Sequence, residues 1–269
     1  MIRVVIIGIC GRMGQCLTRC IAQQTDMRLV GAIQYPSHPH IGSDAGVVAG
    51  IGDIGVAIAG ELDEVLENAD VVIEFSKPKA TLGYLRQIVN TDKAIVIGTT
   101  GFTGDELATI KELASQTRCV MAPNMSLGIN VMIQALDLIA KALGDDYDIE
   151  VIEMHHNHKA DSPSGTAFRL TETVTTALGR DLDEVGIYGR HGIVGARPKK
   201  QIGIHAVRGG DIAGDHTVLF AAEGEQLSVV HRAHNPEAFA KGAIRAARWV
   251  VDAPKGLHDV SEVLFPEQP

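Results

Sequence analysis

The chain has 269 residues, a length that fits one large domain or two smaller ones and can build a core without disulfide or metal staples. Lys plus Arg number 24 against 33 Asp plus Glu, and the resulting net charge of −9 argues against non-specific nucleic-acid binding. The longest apolar run, residues 4–7 with Ile9 beyond, is too short to span a bilayer or form a signal-peptide core, so a cytoplasmic protein with no membrane or nucleic-acid partner is expected.

Aromatic residues make up only 4% while glycine is 29 of 269, which suits helices packed on a Val/Ile-rich parallel sheet better than a β-sandwich. Residues 3–7 read as a buried strand, 11–24 as a helix and 28–33 as a second strand. Residues 35–55, with Pro36, Pro39, Gly42, Gly46, Gly50 and Gly52, read as a long loop. Strands are expected at 56–59, 71–75, 94–97 and 119–122, with helices at 61–67, 79–90 and 104–116. Such alternation with short connections predicts a doubly wound parallel sheet. After it come a long helix at 128–143 and a strand at 148–154. Ser162-Pro163 reads as a cap opening a helix to about Leu178. Strands at 204–207, 217–221 and 227–231 lack intervening helices, which predicts a second domain of α+β type. Asn235-Pro236 opens a last helix to about Val251. Cys10, Cys16, Cys20 and Cys119 form no Cys-x-x-Cys pair and read as reduced thiols. Cys16 and Cys20 suit buried packing better than a metal or redox pair.

Gly8-Ile9-Cys10-Gly11-Arg12-Met13-Gly14 joins the first strand to the first helix, where a dinucleotide pyrophosphate binds in such folds. The spacing is G-x-x-G-x-x-G, and a tight turn without a ligand is the competing reading. Gln34-Tyr35 at the end of the second strand is neither the acid that selects NAD nor the Arg that suits NADP. NADH and NADPH are both permitted, with Arg12 and Lys77 as nearby cations. Gly98-Thr99-Thr100-Gly101 and Ala122-Pro123-Asn124-Met125-Ser126 follow two more strands and offer small and polar groups to flank a nicotinamide. The densest cluster is Glu153-Met154-His155-His156-Asn157-His158-Lys159, followed by Asp161 and by Ser164-Gly165-Thr166 at a helix start. A zinc site would need a second ligand-bearing segment or H-E-x-x-H spacing. A carboxylate site beside a proton donor fits better, because free backbone N–H groups lie next to His and Lys. No metal is expected.

Together with Asn124-Met125-Ser126-Leu127-Gly128, Asn130 and the Arg208-Gly209-Gly210-Asp211-Ile212-Ala213-Gly214-Asp215-His216 turn, these stretches resemble the dihydrodipicolinate reductase family over essentially the whole chain. The resemblance implies an N-terminal Rossmann domain, residues 1–126 with 236–269, and an inserted α+β domain, 127–235, for substrate binding and homotetramer assembly. It implies NAD(P)H-dependent reduction of a small cyclic dicarboxylate in lysine and diaminopimelate synthesis. The general acid falls on His155, with Lys159 as the second proton-donor candidate. Substrate carboxylate contacts fall on His156, Lys159, Ser164, Gly165 and Thr166. Cofactor contacts fall on Gly8, Arg12, Met13, Gly98, Thr100, Ala122 and Asn124, to which the strand-end reading adds Gly11, Gln34, Thr99, Pro123 and Met125. The chain departs from the family's pattern at Cys10, at Gln34-Tyr35, at Met125 and at Pro236. A nucleotide-binding regulatory or metal-binding protein without turnover, or another two-domain reductase acting on an imine, is the alternative; pairing a dinucleotide loop with a separate acid and anion cluster argues against the first, and the paired histidines against the second.

Overall fold

The computed structural model describes residues 1–265; the last four residues of the 236–269 segment lie outside them. Along the first part of the chain run β1 (Ile2–Ile7), α1 (Arg12–Ile21), β2 (Met27–Ile33), α2 (Ala45–Ala49), β3 (Ile58–Ala59), β4 (Val71–Glu74), α3 (Pro78–Ile88), β5 (Ala94–Ile97), α4 (Gly104–Ala114) and β6 (Arg118–Met121). Then come α5 (Leu127–Leu143), β7 (Asp148–His155), α6 (Gly165–Ala177), α7 (Leu182–Val185), β8 (Gly186–Ile187), β9 (Ile202–Arg208), β10 (Gly214–Ala222) and β11 (Glu225–Ala233). α8 (Glu237–Val250), β12 (Gly256–His258) and α9 (Val260–Leu264) close the chain. Two compact units result: Met1–Leu127 with the chain from Pro236 onward, and Gly128–Asn235.

The first unit is an all-parallel sheet of order β12-β6-β5-β4-β1-β2-β3. Its central strands are β-branched runs because helices cover both faces. One face packs on α1 and α8, where Leu17, Ile21, Ala243, Ile244 and Ala247 meet Val4, Ile6 and Val96. The other packs on α3 and α4 through Leu85, Ile88, Ile110 and Ala114. Strand order reverses between β1 and β4, which opens a crevice at the carboxyl edge.

Several local expectations change. The 35–55 loop contains α2, whose N-cap Asp44 accepts N–H bonds from Gly46, Val47, Ile54 and Val56, so one side chain organises a glycine-rich stretch. Residues 61–67 form two 3₁₀ turns instead of an α-helix, Leu62–Glu64 and Leu66–Asn68. Past residue 251, β12 adds a seventh strand beside β6. All four cysteines are free, and Cys16, Cys20 and Cys119 are buried.

The second unit is a mixed sheet of order β11-β10-β7-β9-β8. β10 runs antiparallel to both β11 and β7, while β7, β9 and β8 are parallel. Side chains alternate between faces, so Ile149 and Val151 of β7 lie with Ile202 and Ile204 of β9 and with Phe220 and Val218 of β10. Met132, Leu136 and Ala140 of α5 and Ala167, Leu170 and Val174 of α6 close this core. Among the described residues, α5 with its following turn is the one helix long and apolar enough to cross a membrane by length and composition; its buried residues recur every three or four positions, as on the inner face of a core helix.

Candidate active site

In the first unit, every strand-end segment singled out from sequence lies at the carboxyl edge of one sheet, after β1, β2, β5 and β6. Gly8 has φ +85°, and a Cβ there would overlap the Phe75 carbonyl oxygen. A Cβ on Gly14 would strike Gly8 and Ile9, so α1 rests directly on the loop that precedes it. The N-cap of α1, Gly11, makes no side-chain cap bond, and the first turn carries no acid. Its N–H groups and dipole are therefore left to an anion. The buried Oε1 of Gln34 has no hydrogen-bond partner. An orphaned acceptor at the end of β2 suits a ribose hydroxyl donor. A glycine cradle, an open helix N-terminus and this acceptor together fit a dinucleotide.

Thr99 and Met125 are placed differently from the sequence expectation. Thr99 is buried, and its hydroxyl donates to Glu74 at 3.0 Å while accepting the Ser76 N–H at 2.8 Å. Met125 lies in the core against α8, with its carbonyl filling the space that a Cβ on Gly242 would need. Ala122 is likewise a core residue. The side chains of Thr99, Ala122 and Met125 are thus buried, whereas Thr100 and Pro123 are exposed and Asn124 is half-buried.

Sequence reasoning missed Glu74. This fully buried carboxyl accepts from the Ser76 amide at 2.7 Å, the Thr81 hydroxyl at 2.9 Å, Thr99, and the Ser76 hydroxyl. Burial pushes its pKa up against these bonds. It fastens the loop after β4 to the loop after β5. Phe75 is wedged beside it, with its ring where a Cβ on Gly98 would lie.

In the second unit, the alternation that puts Ile149 and Val151 in the core places Glu153 and His155 on the same face, further along β7. Glu153 stands opposite His216 of β10 and Ala206 of β9, and His155 opposite Arg208. Glu153 is fully buried. Its Oε2 lies 2.6 Å from Nδ1 of His155 and 2.8 Å from Arg208, and its Oε1 accepts from Arg208 at 2.8 Å and from the Ser164 amide at 3.0 Å. Burial raises the Glu153 pKa, but Arg208, His155 and the Ser164 amide outweigh it and hold the carboxyl below its usual range. For His155, burial outweighs the opposing pull of Glu153; Lys159 and Arg208 add to it, so the pKa falls.

The buried His216 packs edge-on to His155 at 5.2 Å between ring centroids and is driven down to about 4, mainly by burial. Its Nε2 lies 3.0 Å from Ser164 Oγ. Lys159 is paired with Asp161 at 2.8 Å. Backbone bonds from His156 to Ile212, from Asn157 to Gly210 and from Gly209 to His155 lace the Arg208–His216 turn onto the histidine loop.

Helix α6 begins at Gly165 with Ser164 as N-cap, two residues later than the sequence expectation. Ser162–Pro163 is a cis peptide before the helix. The Ser164 hydroxyl accepts the Ala167 N–H at 3.0 Å, which identifies the cap. Ser164 is therefore buried and engaged, while Gly165 is exposed and Thr166 half-buried in the first turn of α6. The cluster can bind a carboxylate and carry a proton. Among the described residues, no group of three or more His, Cys, Asp or Glu is arranged to hold a metal ion.

Family models described as dihydrodipicolinate reductase, N-terminus, and dihydrodipicolinate reductase, C-terminus, match residues 2–125 and 128–264. The chain is 48% identical over 264 residues to a 4-hydroxy-tetrahydrodipicolinate reductase of Trichlorobacter lovleyi, covering 98% of this chain and 99% of the relative. It is 45% identical to one of Syntrophus aciditrophicus, with 98% of each chain covered. A solved dipicolinate-bound dihydrodipicolinate reductase from Paenisporosarcina sp. TG-14 superposes with a TM-score of 0.76 at 26% identity, over 96% of this chain and 97% of that one. An amine dehydrogenase from Mycobacterium smegmatis shares the fold at 14% identity and a TM-score of 0.61, covering 96% of this chain and 95% of that one.

Proposed function

The chain belongs to the dihydrodipicolinate reductase family, and we propose that it reduces 4-hydroxy-tetrahydrodipicolinate to tetrahydrodipicolinate with NADH or NADPH, in lysine and diaminopimelate synthesis. The observation that carries the reading is His155 held on the buried Glu153 beside the Ser164-capped start of α6. In the first unit, Gly8, Gly11, Arg12 and Met13 with the first-turn N–H groups of α1 hold the pyrophosphate. Gln34 accepts a ribose hydroxyl. Gly98, Thr100, Pro123 and Asn124 flank the nicotinamide over a floor made by Thr99, Ala122 and Met125. The bound cofactor supplies a hydride.

In the second unit, Gly165, Thr166, His156 and Lys159 bind the two carboxylates of the ring, and Ser164 sets the helix start that receives one of them. Water leaves the hydroxylated ring, a hydride adds to the carbon that carried the hydroxyl, and the neighbouring carbon of the resulting enamine takes a proton from His155. Histidine suits this step because it exchanges protons near neutral pH. Burial and the cations Lys159 and Arg208 lower the pKa of His155 in the free protein, against the pull of Glu153. A bound dianion offsets those cations and raises its pKa, so substrate helps to load the proton.

The reading includes a cytoplasmic homotetramer. The second sheet carries its helices on one face, and Val207 of β9 and Val230 of β11 are exposed on the other, which gives copies of this chain an apolar surface to share. Light scattering of the purified protein tests the assembly. A coupled assay with freshly generated substrate, following NADH and NADPH oxidation, tests the reaction; no oxidation of either cofactor overturns it.

A further inference from the structure

His155 has two ring nitrogens, and the structure treats them unequally. Nδ1 faces Glu153 Oε2 at 2.6 Å. Nε2 faces Gly214, where a Cβ would come within 3.0 Å of it, so only the absence of a side chain leaves that edge of the ring open. Glu153 is anchored on both oxygens, by the two terminal nitrogens of Arg208 at 2.8 Å each and by the Ser164 amide. An ionised carboxylate accepts and does not donate, so the proton on the inner side belongs to Nδ1.

We infer that Glu153 is a positioning residue for proton delivery: it holds the Nδ1–H of His155 inward and thereby reserves Nε2 as the nitrogen that exchanges a proton with the substrate. The same carboxylate receives the amide of Ser164, the N-cap of α6. One buried group therefore sets both the orientation of the proton donor and the start of the carboxylate-binding helix. The charged and titratable groups acting on the ring are Glu153 on β7, Lys159 on the following loop, Arg208 on β9 and His216 on β10; behind them, Asp161 pairs with Lys159 and His231 on β11 acts on His216. Of these, Glu153 makes the hydrogen bond to Nδ1. The catalytic consequence rests on the reductase reading; the tautomer does not.

The test joins ¹⁵N NMR of histidine-labelled protein with kinetics of Glu153→Gln, the His155 signals being assigned by their loss in His155→Gln. In the unsubstituted protein, the neutral His155 ring is expected to carry its proton on Nδ1. In Glu153→Gln the amide NH₂ donates to Nδ1, and the proton is expected on Nε2. Turnover is expected to fall about 10²-fold near neutral pH, with the alkaline limb of the kcat profile, where the proton donor is lost, moved to lower pH. Affinity for NADH and NADPH, measured by fluorescence, is expected to stay within about twofold, because that cradle lies in the other unit. A neutral ring protonated on Nε2 in the unsubstituted protein overturns the inference, and this result does not need the variant to fold. A folded Glu153→Gln with an unmoved pH profile and turnover within about threefold also overturns it. Failure of the unsubstituted enzyme to turn over would instead count against the reductase reading and leave the NMR result standing.

Discussion

Glu150 faces away from Glu153 on the same strand, and its carboxylate carries a sizeable share of the acid sensitivity expected of the second unit. It lies opposite Gly203 of β9, in space that a Cβ on Gly203 would occupy. Arg190 binds it through two nitrogens at 3.0 and 2.8 Å, Arg197 at 2.9 Å and His205 at 2.7 Å. Burial raises its pKa, but the bonds from Arg190, His205 and Arg197 outweigh this and bring it down to about 2 from an ordinary 4.5. That gap sets a ceiling of about 3 kcal/mol on the ionic stabilisation. The Glu150 side chain is 17% exposed and its partners 19–32%, so solvent screening reduces the figure to about 1–2 kcal/mol. Because the folded carboxyl titrates below its unfolded value, the stabilisation is complete above pH 4.5 and disappears as pH falls toward 2. Glu150→Gln is therefore expected to lower stability by about 1–2 kcal/mol at pH 7, read from urea midpoints by far-UV circular dichroism. The difference from the unsubstituted protein should shrink steadily between pH 4.5 and 2. A difference that does not change with pH would show that shape, and not charge, holds Arg190 and Arg197 in place, and would refute the reasoning.

Four further outcomes are expected. His155→Gln lowers kcat by about 10²–10⁴-fold with little change in KM, whereas Lys159→Ala lowers kcat and raises the KM for the dicarboxylate; near-normal rates for both would remove the proton-donor assignment. Gly98→Ala forces the Phe75 ring out of its slot and weakens NADH binding at least tenfold in a fluorescence titration, at a folding cost of about 1–3 kcal/mol. Gln34→Glu puts a negative charge where the 2′-phosphate of NADPH would approach, and is expected to lower the NADPH-to-NADH affinity ratio about tenfold by calorimetry. Glu74→Ala removes an acceptor shared by three hydroxyls and one amide and is expected to lower the melting temperature and weaken dinucleotide binding together, whereas Glu74→Gln retains most of both.

Much of the first unit was legible because β1, β4 and β5 are short Val/Ile runs buried on both faces, and the helices between them carry their own start signals. The same holds for the Glu153–Thr166 cluster, whose residues are contiguous. What stayed hidden depends on partners far along the chain. Glu74 looks like the polar end of an apolar strand until Thr99, 25 residues later, donates to it. In the sequence Arg208 reads only as part of a turn, yet it reaches back 55 residues to Glu153. Thr99 and Met125 stand on the right loops, but a strand-end position does not reveal which way a side chain turns. Helix α2 escaped because five residues carry too little periodicity, and because Asp44 supplies order where glycines suggest none. Ser162-Pro163 imitates a cap signal, and the actual cap is the next serine.

The return of α8 to the first unit bears on the order in which the molecule can be made. Ala240, Ala243, Ala246, Ala247 and Val250 lie at 0% exposure in the core that α1 shares, and β12 completes the sheet beside β6. On the ribosome, residues 1–127 emerge first but lack that helix until another ~110 residues have been synthesised, roughly 5–20 s later at ~5–20 residues per second. The second unit, encoded without interruption, can finish in that interval. The segment translated first is thus the last to become complete, and its apolar α1 face must be shielded in the nascent chain until the C-terminal helix arrives.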